Sequence, residues 1–401
     1  MDMMVPISFD QIAAHSRELF PELQTVRRYL HAHPETGRQE YNTSAYLRQR
    51  LQEKFDFNFA MVGSTGFCCD LVLDQSKPWL SLRADLDALP IADQKEVLYR
   101  STVPNVCHAC GHDFHSTVVL GTAWTLGHFQ NHLNTNIRFI FQHAEEPIPG
   151  GAIDFVQAGK LHGIRAIFGL HADPSLNTGT IGLLPGWITA QSIQFKIELG
   201  GPGGHSARPA DTVDPGFIGV SILNELYSSI YRLETIDQPL VFTIGRIGCG
   251  ESYNLIPSRF TAEGTLRVTH NEQAEKLLAL IDATVKNACT KWKAQGTFTF
   301  TKGAPPVIND AVVTDRVRSI LAGIMDSKKI IPRSRTLGGE DFAHYLSEVP
   351  GVFLRIGINN GSMQGKLHSG YFDVDEQAIP LAVSAFSWIL LKYPVELDQG
   401  F

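Results

Sequence analysis

A chain of 401 residues, 43% hydrophobic and 19% charged, can bury a sizeable core, and its length fits two domains better than one. A formal net charge of -7 at neutral pH, with a sequence pI near 6.1, argues against a general binder of nucleic acid or of membrane surfaces. No apolar run reaches membrane-spanning length, the first residues lack the basic flank and apolar stretch of a signal peptide, and six irregularly spaced cysteines do not read as a secreted disulfide framework, so the expected location is the cytoplasm.

In chain order, residues 8–31 read as a helix, with Ile12, Leu19, Leu23, Val26 and Leu30 near helical spacing. A second helix is expected over about 39–54, followed by a turn-rich segment. Short apolar runs follow at 67-FCCDLVL-73, 79-WLSLRA-84, 136-NIRFIFQ-142 and 166-AIFGL-170, with a helix expected from about His115 to Phe129. Strands separated by helices predict an α/β sheet covered on both faces. The rhythm changes near Trp187. A strand at 192-SIQFKIEL-199, a helix over 215–233, strands near 240–246 and 258–268, a helix over 271–291 and a strand over 296–301 give the order β-α-β-β-α-β, a ferredoxin-like unit inserted into the first domain. The core resumes at 305-PPVIND-310, with helices near 311–324 and 376–393 around a strand at 352–357. The expected fold class is therefore α/β: a mixed-sheet domain over residues 1–187 and 299–401, with an α+β insertion over 188–298.

Polar residues of interest fall just after the apolar runs, where open α/β sheets bind ligands. The densest group is 107-CHACGHDFHS-116, in which Cys110 and His112 alternate on a short segment expected to be non-helical. Thiolate and imidazole suit a zinc-type ion, and no second compact pair completes a closed structural site. In 142-QHAEEP-147 the adjacent Glu145 and Glu146 read either as two solvent-facing loop glutamates or as one metal ligand beside one base. His171, in 168-FGLHADP-174, and His368, in 367-LHSGYFDVDE-376, read alone as near-core histidines or as ligands from distant strands. Asp85 and Asp87 in 83-RADLDALP-90 end a strand, where carboxylates either cap a turn or orient ligand histidines. The glycines of 200-GGPGGHSARP-209 present His205, without the lysine of a phosphate-binding loop.

Taken in order, 31-HAHPETGRQE-40, 83-RADLDALP-90, 109-ACGHDFH-115, 144-AEE-146, 170-LHADP-174, 204-GHSARP-209, 254-NLIP-257, 264-GTLR-267, 338-GGEDF-342 and 367-LHSGYF-372 resemble the family-twenty metallopeptidases, amidohydrolase branch. That branch contains hippurate hydrolases, N-acyl-amino-acid amidohydrolases and auxin-conjugate hydrolases. The resemblance implies two divalent ions per subunit (zinc, manganese, cobalt or nickel) held by Cys110, His112, Glu146, His171 and His368. It implies Glu145 as the general base, Asp87 as a carboxylate behind the ligands, and His205 as a donor to the tetrahedral oxyanion. Asn254 and Arg267 are the implied contacts to a substrate carboxylate, and the insertion is the implied lid, through which a homodimer forms. The expected activity is hydrolysis of the amide bond of an N-acyl amino acid. The alternatives are a dipeptidase, carboxypeptidase or deacetylase on another acylated amino acid, or a non-catalytic metal-binding protein. Retention of every matched residue counts against the last. Two features depart from the pattern: the prolines in 147-PIPGG-151, where a glycine-rich continuation is usual, and Trp187 at the expected hinge.

Overall fold

The computed structural model describes residues 6–332, 335–361 and 365–394. The chain divides into two compact units, one built from the described residues of Met1–Gly186, Ile308–Ser334 and Asp341–Phe401, the other from Trp187–Val307 with Arg335–Glu340.

The first unit opens on α1 (Phe9–Ala32). Its start is fixed by a reciprocal cap in which Gln11 N–H donates to Ser8 Oγ and Ser8 N–H donates to Gln11 Oε1, satisfying two amides that have no helical partner. Next come α2 (Tyr41–Gln52), β1 (Asn58–Val62), β2 (Gly66–Leu71) and β3 (Trp79–Asp85), then α3 (His112–His128), β4 (Asn136–Gln142), α4 (Ala152–Gln157), β5 (Ile164–Asn177) and β6 (Ile181–Gly182). The short β7 (Gly186–Trp187) falls where the chain passes into the second unit. The eight strands of the main sheet run β1-β2-β4-β3-β5, then a late strand, then β6 and a second late strand. The centre is parallel: β3 pairs with β4 and with β5 in the same direction, while β1 and β2 form an antiparallel edge. Strands buried on both faces need no polar alternation, hence the near-continuous apolar runs of β3 and β4.

α3 is buried from His112 to Gly127. A helix enclosed on all sides must satisfy its hydroxyls internally, and Thr117, Thr122 and Thr125 do so by donating to the carbonyls of Asp113, Val118 and Gly121. α3 begins at His112, one turn earlier than the expected His115, so His112 is helical and only Cys110 lies in the turn before it. The cause is Gly111, which at φ 86° turns the chain directly into the helix.

The second unit comprises β8 (Gln191–Gly200), β9 (Gly204–His205), α5 (Pro215–Ile230), β10 (Leu240–Cys249), β11 (Leu255–Ile256), β12 (Arg259–Val268), α6 (Asn271–Trp292) and β13 (Gln295–Lys302). The sheet order β10-β12-β8-β13 is antiparallel throughout and, with the two helices, is the ferredoxin-like arrangement. β8 alternates strictly, and its buried Ile193, Phe195, Ile197 and Leu199 meet Ile218, Ile222 and Leu226 of α5 and Leu277 and Ile281 of α6 in a core of their own. Asp214 caps α5 by accepting from the amides of Gly216 and Phe217, just before a proline in the first turn. β13 continues through residue 298, where the end of the insertion was expected, and the unit extends to Val307.

The chain then returns through β14 (Ile308–Asn309), α7 (Ala311–Ala322), β15 (Ile330–Ile331), α8 (Ala343–Leu346), β16 (Gly351–Asn359) and α9 (Ala378–Lys392). β16 is the late strand beside β5: it pairs with it in parallel, setting Arg355 opposite His171. α1, α3 and α9 share one apolar core with the sheet, through Leu23, Val26, Val118, Val383 and Phe386 among others. Among the described residues no helix is long and apolar enough to cross a membrane.

Candidate metal centre

The five expected ligands come from four separate places in the first unit, and the fold brings their donor atoms together. Cys110 Sγ lies 3.4 Å from His171 Nε2. Donor atoms of Cys110, His112 and Glu146 all lie within 4.8 Å of one another, with His112 Nε2 3.9 Å from Glu146 Oε1. His368 Nε2 is 3.6 Å from the same Glu146 oxygen. Ligands of one zinc-type ion, each about 2.0–2.3 Å from it, stand roughly 3.3–3.6 Å apart in a tetrahedral site.

Each donor is held by its own local device. The main chain of Cys107 exchanges two hydrogen bonds with that of Leu89, which pins the strip leading to Cys110 beside the turn after β3. Ala109 offers its carbonyl to the amide of His368, at 2.8 Å, so a residue far along the chain sits next to Cys110. His368 adopts φ 61°, unusual for a side chain with a Cβ, and is 56% exposed, which makes it the solvent side of the cluster. His171 Nδ1 donates to the carbonyl of Ala172 at 2.7 Å, leaving Nε2 as a bare lone pair facing Cys110. Glu145 and Glu146 donate their amides to Asp87 Oδ1 and Oδ2, at 3.0 Å each, and the same Oδ1 lies 3.3 Å from His112 Nδ1. Asp87 thus addresses His112 and the Glu145–Glu146 turn together.

Electrostatics agree with this arrangement. Burial disfavours a charged His112, but Asp85 and Asp87 overcome it and hold the ring well above its usual pKa. Burial holds His171 well below its usual value, so it is neutral and can donate a lone pair. Burial raises Glu146, opposed by His112 and His368. Burial also pushes the Cys110 thiol far up, so a thiolate there needs a cation beside it. Buried His112 Nε2 and Glu146 Oε1 have no hydrogen-bond partner, and an atom left so in an interior is costly unless something binds it.

A second trio, Asp85, His112 and His115, has donor atoms equally close, but Asp85 and His115 are committed elsewhere. Arg83 donates to Asp85 Oδ2 at 2.6 Å, His115 Nδ1 donates to Asp85 Oδ1 at 2.7 Å, and His115 Nε2 accepts the amide of Ala172 at 2.8 Å. The chain Arg83–Asp85–His115–Ala172 is a brace that fixes β5 beside His171. Arg83, fully buried, also donates to Asp341, which accepts from Gln142 and from the amide of Ala152. Sequence reading missed Arg83, His115 and Asp341 as supports; the available signals were the spacing of His115 one turn after His112 and the acidic pair in 338-GGEDF-342. Glu145 carries no assigned donor role in the cluster, and its carboxylate reaches within 4.8 Å of Asp341.

The remaining expected residues lie in the second unit. His205 is exposed on β9, opposite Leu255, and its Nδ1 accepts the amide of Ala207, leaving Nε2 outward. Asn254 adjoins it, its carbonyl taking the amide of Ser206 and its side chain the hydroxyl of Ser252. Arg267 on β12 donates to the carbonyl of Leu337 at 2.6 Å. Trp187 lies under the Arg335 guanidinium, 4.7 Å from its ring centre.

A mixed sheet whose strand ends and following turns gather thiol, imidazole and carboxylate donors beside a further glutamate defines a metallohydrolase. The profile of peptidase family M20/M25/M40 matches residues 81–392, and the chain belongs to that family and is a metal-dependent hydrolase of the amidohydrolase and metallopeptidase class. It is 35% identical to a probable hydrolase of Synechocystis sp., over 94% of this chain and 97% of that one. An N-acetyl-L-cysteine deacetylase of Bacillus subtilis is 34% identical, over 89% of this chain and 85% of its own. Among solved structures, a Bacillus subtilis protein described as a dinuclear metal-binding peptidase of the M20 family superposes with a TM-score of 0.82 at 31% identity, covering 94% of this chain and 98% of its own.

Proposed function

We propose that this chain hydrolyses the amide bond of N-acyl amino acids, with Glu145 as general base. The observation that carries the reading is the convergence of Cys110, His112, Glu146, His171 and His368 beside a sixth side chain, Glu145, whose amide shares Asp87 with that of Glu146. The orphaned His112 and Glu146 atoms and the mixed sulfur, nitrogen and oxygen donor set fit two divalent ions of the zinc, manganese, cobalt or nickel type. Such ions, when bound, supply Lewis acidity toward the amide carbonyl and acidify water. Glu145 takes the proton of the attacking water and returns it to the leaving nitrogen. His205 is the proposed donor to the developing oxyanion, and Arg267 and Asn254 are the proposed contacts to the substrate carboxylate, for which a planar guanidinium is well suited. The deacetylase name of the Bacillus subtilis relative supports an N-acyl amino acid as substrate.

We place the second unit as lid and as the surface through which two copies pair, a role supported by exposed Phe217, Val220 and Ile236. Mixing inactive His205→Ala and Glu145→Gln proteins tests this: a site shared between copies regains activity on subunit exchange.

The substrate reading is tested with a panel of N-acyl amino acids and their carboxamides, in wild type and Glu145→Gln. Recognition of the carboxylate predicts a preference for the free acid of about tenfold to a hundredfold in kcat/KM, the range of one charge-assisted contact. Glu145→Gln keeps its metal and loses about a hundredfold to ten-thousandfold in kcat. Equal cleavage of acid and carboxamide would discard the amino-acid reading, and a near-normal rate in Glu145→Gln would discard the base.

A further inference from the structure

The motif 31-HAHPETGRQE-40 contributes no donor to the cluster, yet three of its last four residues, Gly37, Arg38 and Glu40, lie along the loop that carries Glu145 and Glu146. Gly37 is packed so closely that a Cβ there would come within 3.0 Å of Pro147. Arg38 donates to the carbonyl of Pro149 at 3.2 Å and to Asp154 at 3.1 Å, and Asp154 also meets His143 at 2.8 Å. Glu40 is fully buried; its Oε1 accepts the amide of Ala144 at 2.7 Å and its Oε2 accepts the Thr65 hydroxyl at 2.7 Å.

Ala144 is the hinge of the loop. It stands at φ 51°, where an alanine is strained, and its carbonyl takes the amide of Gly151 at 2.7 Å. Its N–H is followed by those of Glu145 and Glu146, so three successive main-chain amides are given to two buried carboxylates, Glu40 and then Asp87 twice. Hydrogen bonds to an ionised acceptor are short and strong, and they can hold a backbone conformation that the residue does not favour by itself.

Glu40 also stands at the N-cap of α2 without serving that helix. Its side chain makes no cap, and Glu35 instead takes the amides of Asn42 and Thr43, at 3.1 and 2.8 Å. The Glu40 carboxylate is therefore directed to Thr65 and the distant loop, with its own amide the further backbone partner.

We infer that Glu40 is a positioning residue for amide hydrolysis: supported by Thr65, it fixes the left-handed turn at Ala144 and so sets the direction of Glu145. The inference rests on Glu145 being the base. A base displaced by a fraction of an ångström still allows substrate to bind but transfers its proton poorly, so the effect falls on kcat and spares KM.

The test compares metal-loaded wild type, Glu40→Ala, Glu40→Gln, Thr65→Val and Glu145→Gln on the N-acyl amino acid that the wild type cleaves fastest, with metal content measured on each sample. Glu40→Ala is expected to lose about tenfold to a hundredfold in kcat, with KM within about threefold and metal content unchanged. Glu40→Gln keeps an oxygen for the Ala144 amide and should recover most of that loss. Thr65→Val, which keeps Glu40 but removes its support, should lose a few-fold in kcat and serves if Glu40→Ala does not fold. The double variant Glu40→Ala/Glu145→Gln should be no slower than Glu145→Gln alone, because the two act through one group. A kcat within twofold of wild type in both Glu40→Ala and Thr65→Val, against a crippled Glu145→Gln, overturns the role of Glu40 while leaving the base in place. A loss of rate matched by loss of metal, or unrelieved in Glu40→Gln, reduces Glu40 to a fold residue and overturns it as well. A near-normal Glu145→Gln removes the base itself, and this inference with it.

Discussion

The two units hold their functional side chains in opposite ways. In the first, Cys110, His112 and His171 are buried, and main-chain amides, carboxylates and a buried guanidinium constrain them and their neighbours. In the second, His205 and Asn254 sit exposed on and beside a pair of two-residue strands, held by local bonds such as those to Ala207, Ser206 and Ser252. Donor atoms that must meet to within a few tenths of an ångström need a rigid interior; a side chain that meets a substrate arriving from solvent needs to be reachable. Stability and activity should therefore separate by unit.

The largest effect that could break this contrast is expected at Arg83. Replacing it with methionine leaves Asp85 and Asp341 buried without their shared cation, which should cost about 3–5 kcal/mol in denaturant unfolding. A cost under about 1 kcal/mol would show that the brace is decorative. Next, His205→Ala should lower kcat by about a hundredfold to a thousandfold while moving unfolding stability by less than about 0.5 kcal/mol. A comparable fall in stability would erase the distinction between the units. Third, Asp87→Asn keeps the shape but weakens the hold on His112 and on both glutamate amides, and should reduce metal affinity by about tenfold to a hundredfold in a chelator competition.

The smallest expected effect concerns His108, buried beside the cluster with neither ring nitrogen hydrogen-bonded and its pKa lowered to about 3 by burial. A histidine that stays neutral when folded but protonates near pH 6.5 when unfolded stabilises the protein fully above 6.5. That contribution is lost as pH falls toward 3, because the unfolded chain then binds the extra proton. For this residue the loss between pH 7 and pH 5 is about 2 kcal/mol. His108→Phe, which keeps a ring and cannot titrate, should show a smaller fall in unfolding free energy over that interval by that amount. An unchanged pH slope would mean that His108 is protonated or hydrated in the folded state.

How far the sequence alone reached follows the same division between types and placements. Cysteine, histidine and glutamate placed after apolar runs raised a metal site as one reading beside loop and near-core roles, because donor chemistry belongs to the residue itself, and the ligand set came from the family resemblance. The second unit was equally readable, since the alternation of β8 and the helical spacing of α5 and α6 are local patterns. What escaped was set by distant partners. The edge strand β1 fell in a segment read as turns because its side chains are largely exposed and carry no apolar run. The early start of α3 at His112 depends on Gly111 taking a positive φ, which no neighbouring residue demands. Arg83 meets Asp341 across 258 positions, and Glu40 meets Ala144 across 104. No window on the chain contains both ends of either bond.

The pairing of β5 with β16 carries a consequence for synthesis. β5 ends at Asn177 and its neighbour begins at Gly351, with the whole of the second unit made in between. That second unit is nearly contiguous and can close its own core as soon as β13 is available. The main sheet cannot: at bacterial or eukaryotic elongation rates of about 5–20 residues per second, the edge of β5 waits roughly ten to thirty seconds for its partner. During that interval an apolar strand with open amides and carbonyls is exposed to other nascent chains. The edge that later carries His171 into the site is thus a seam of the sheet that stays open until β16 is made.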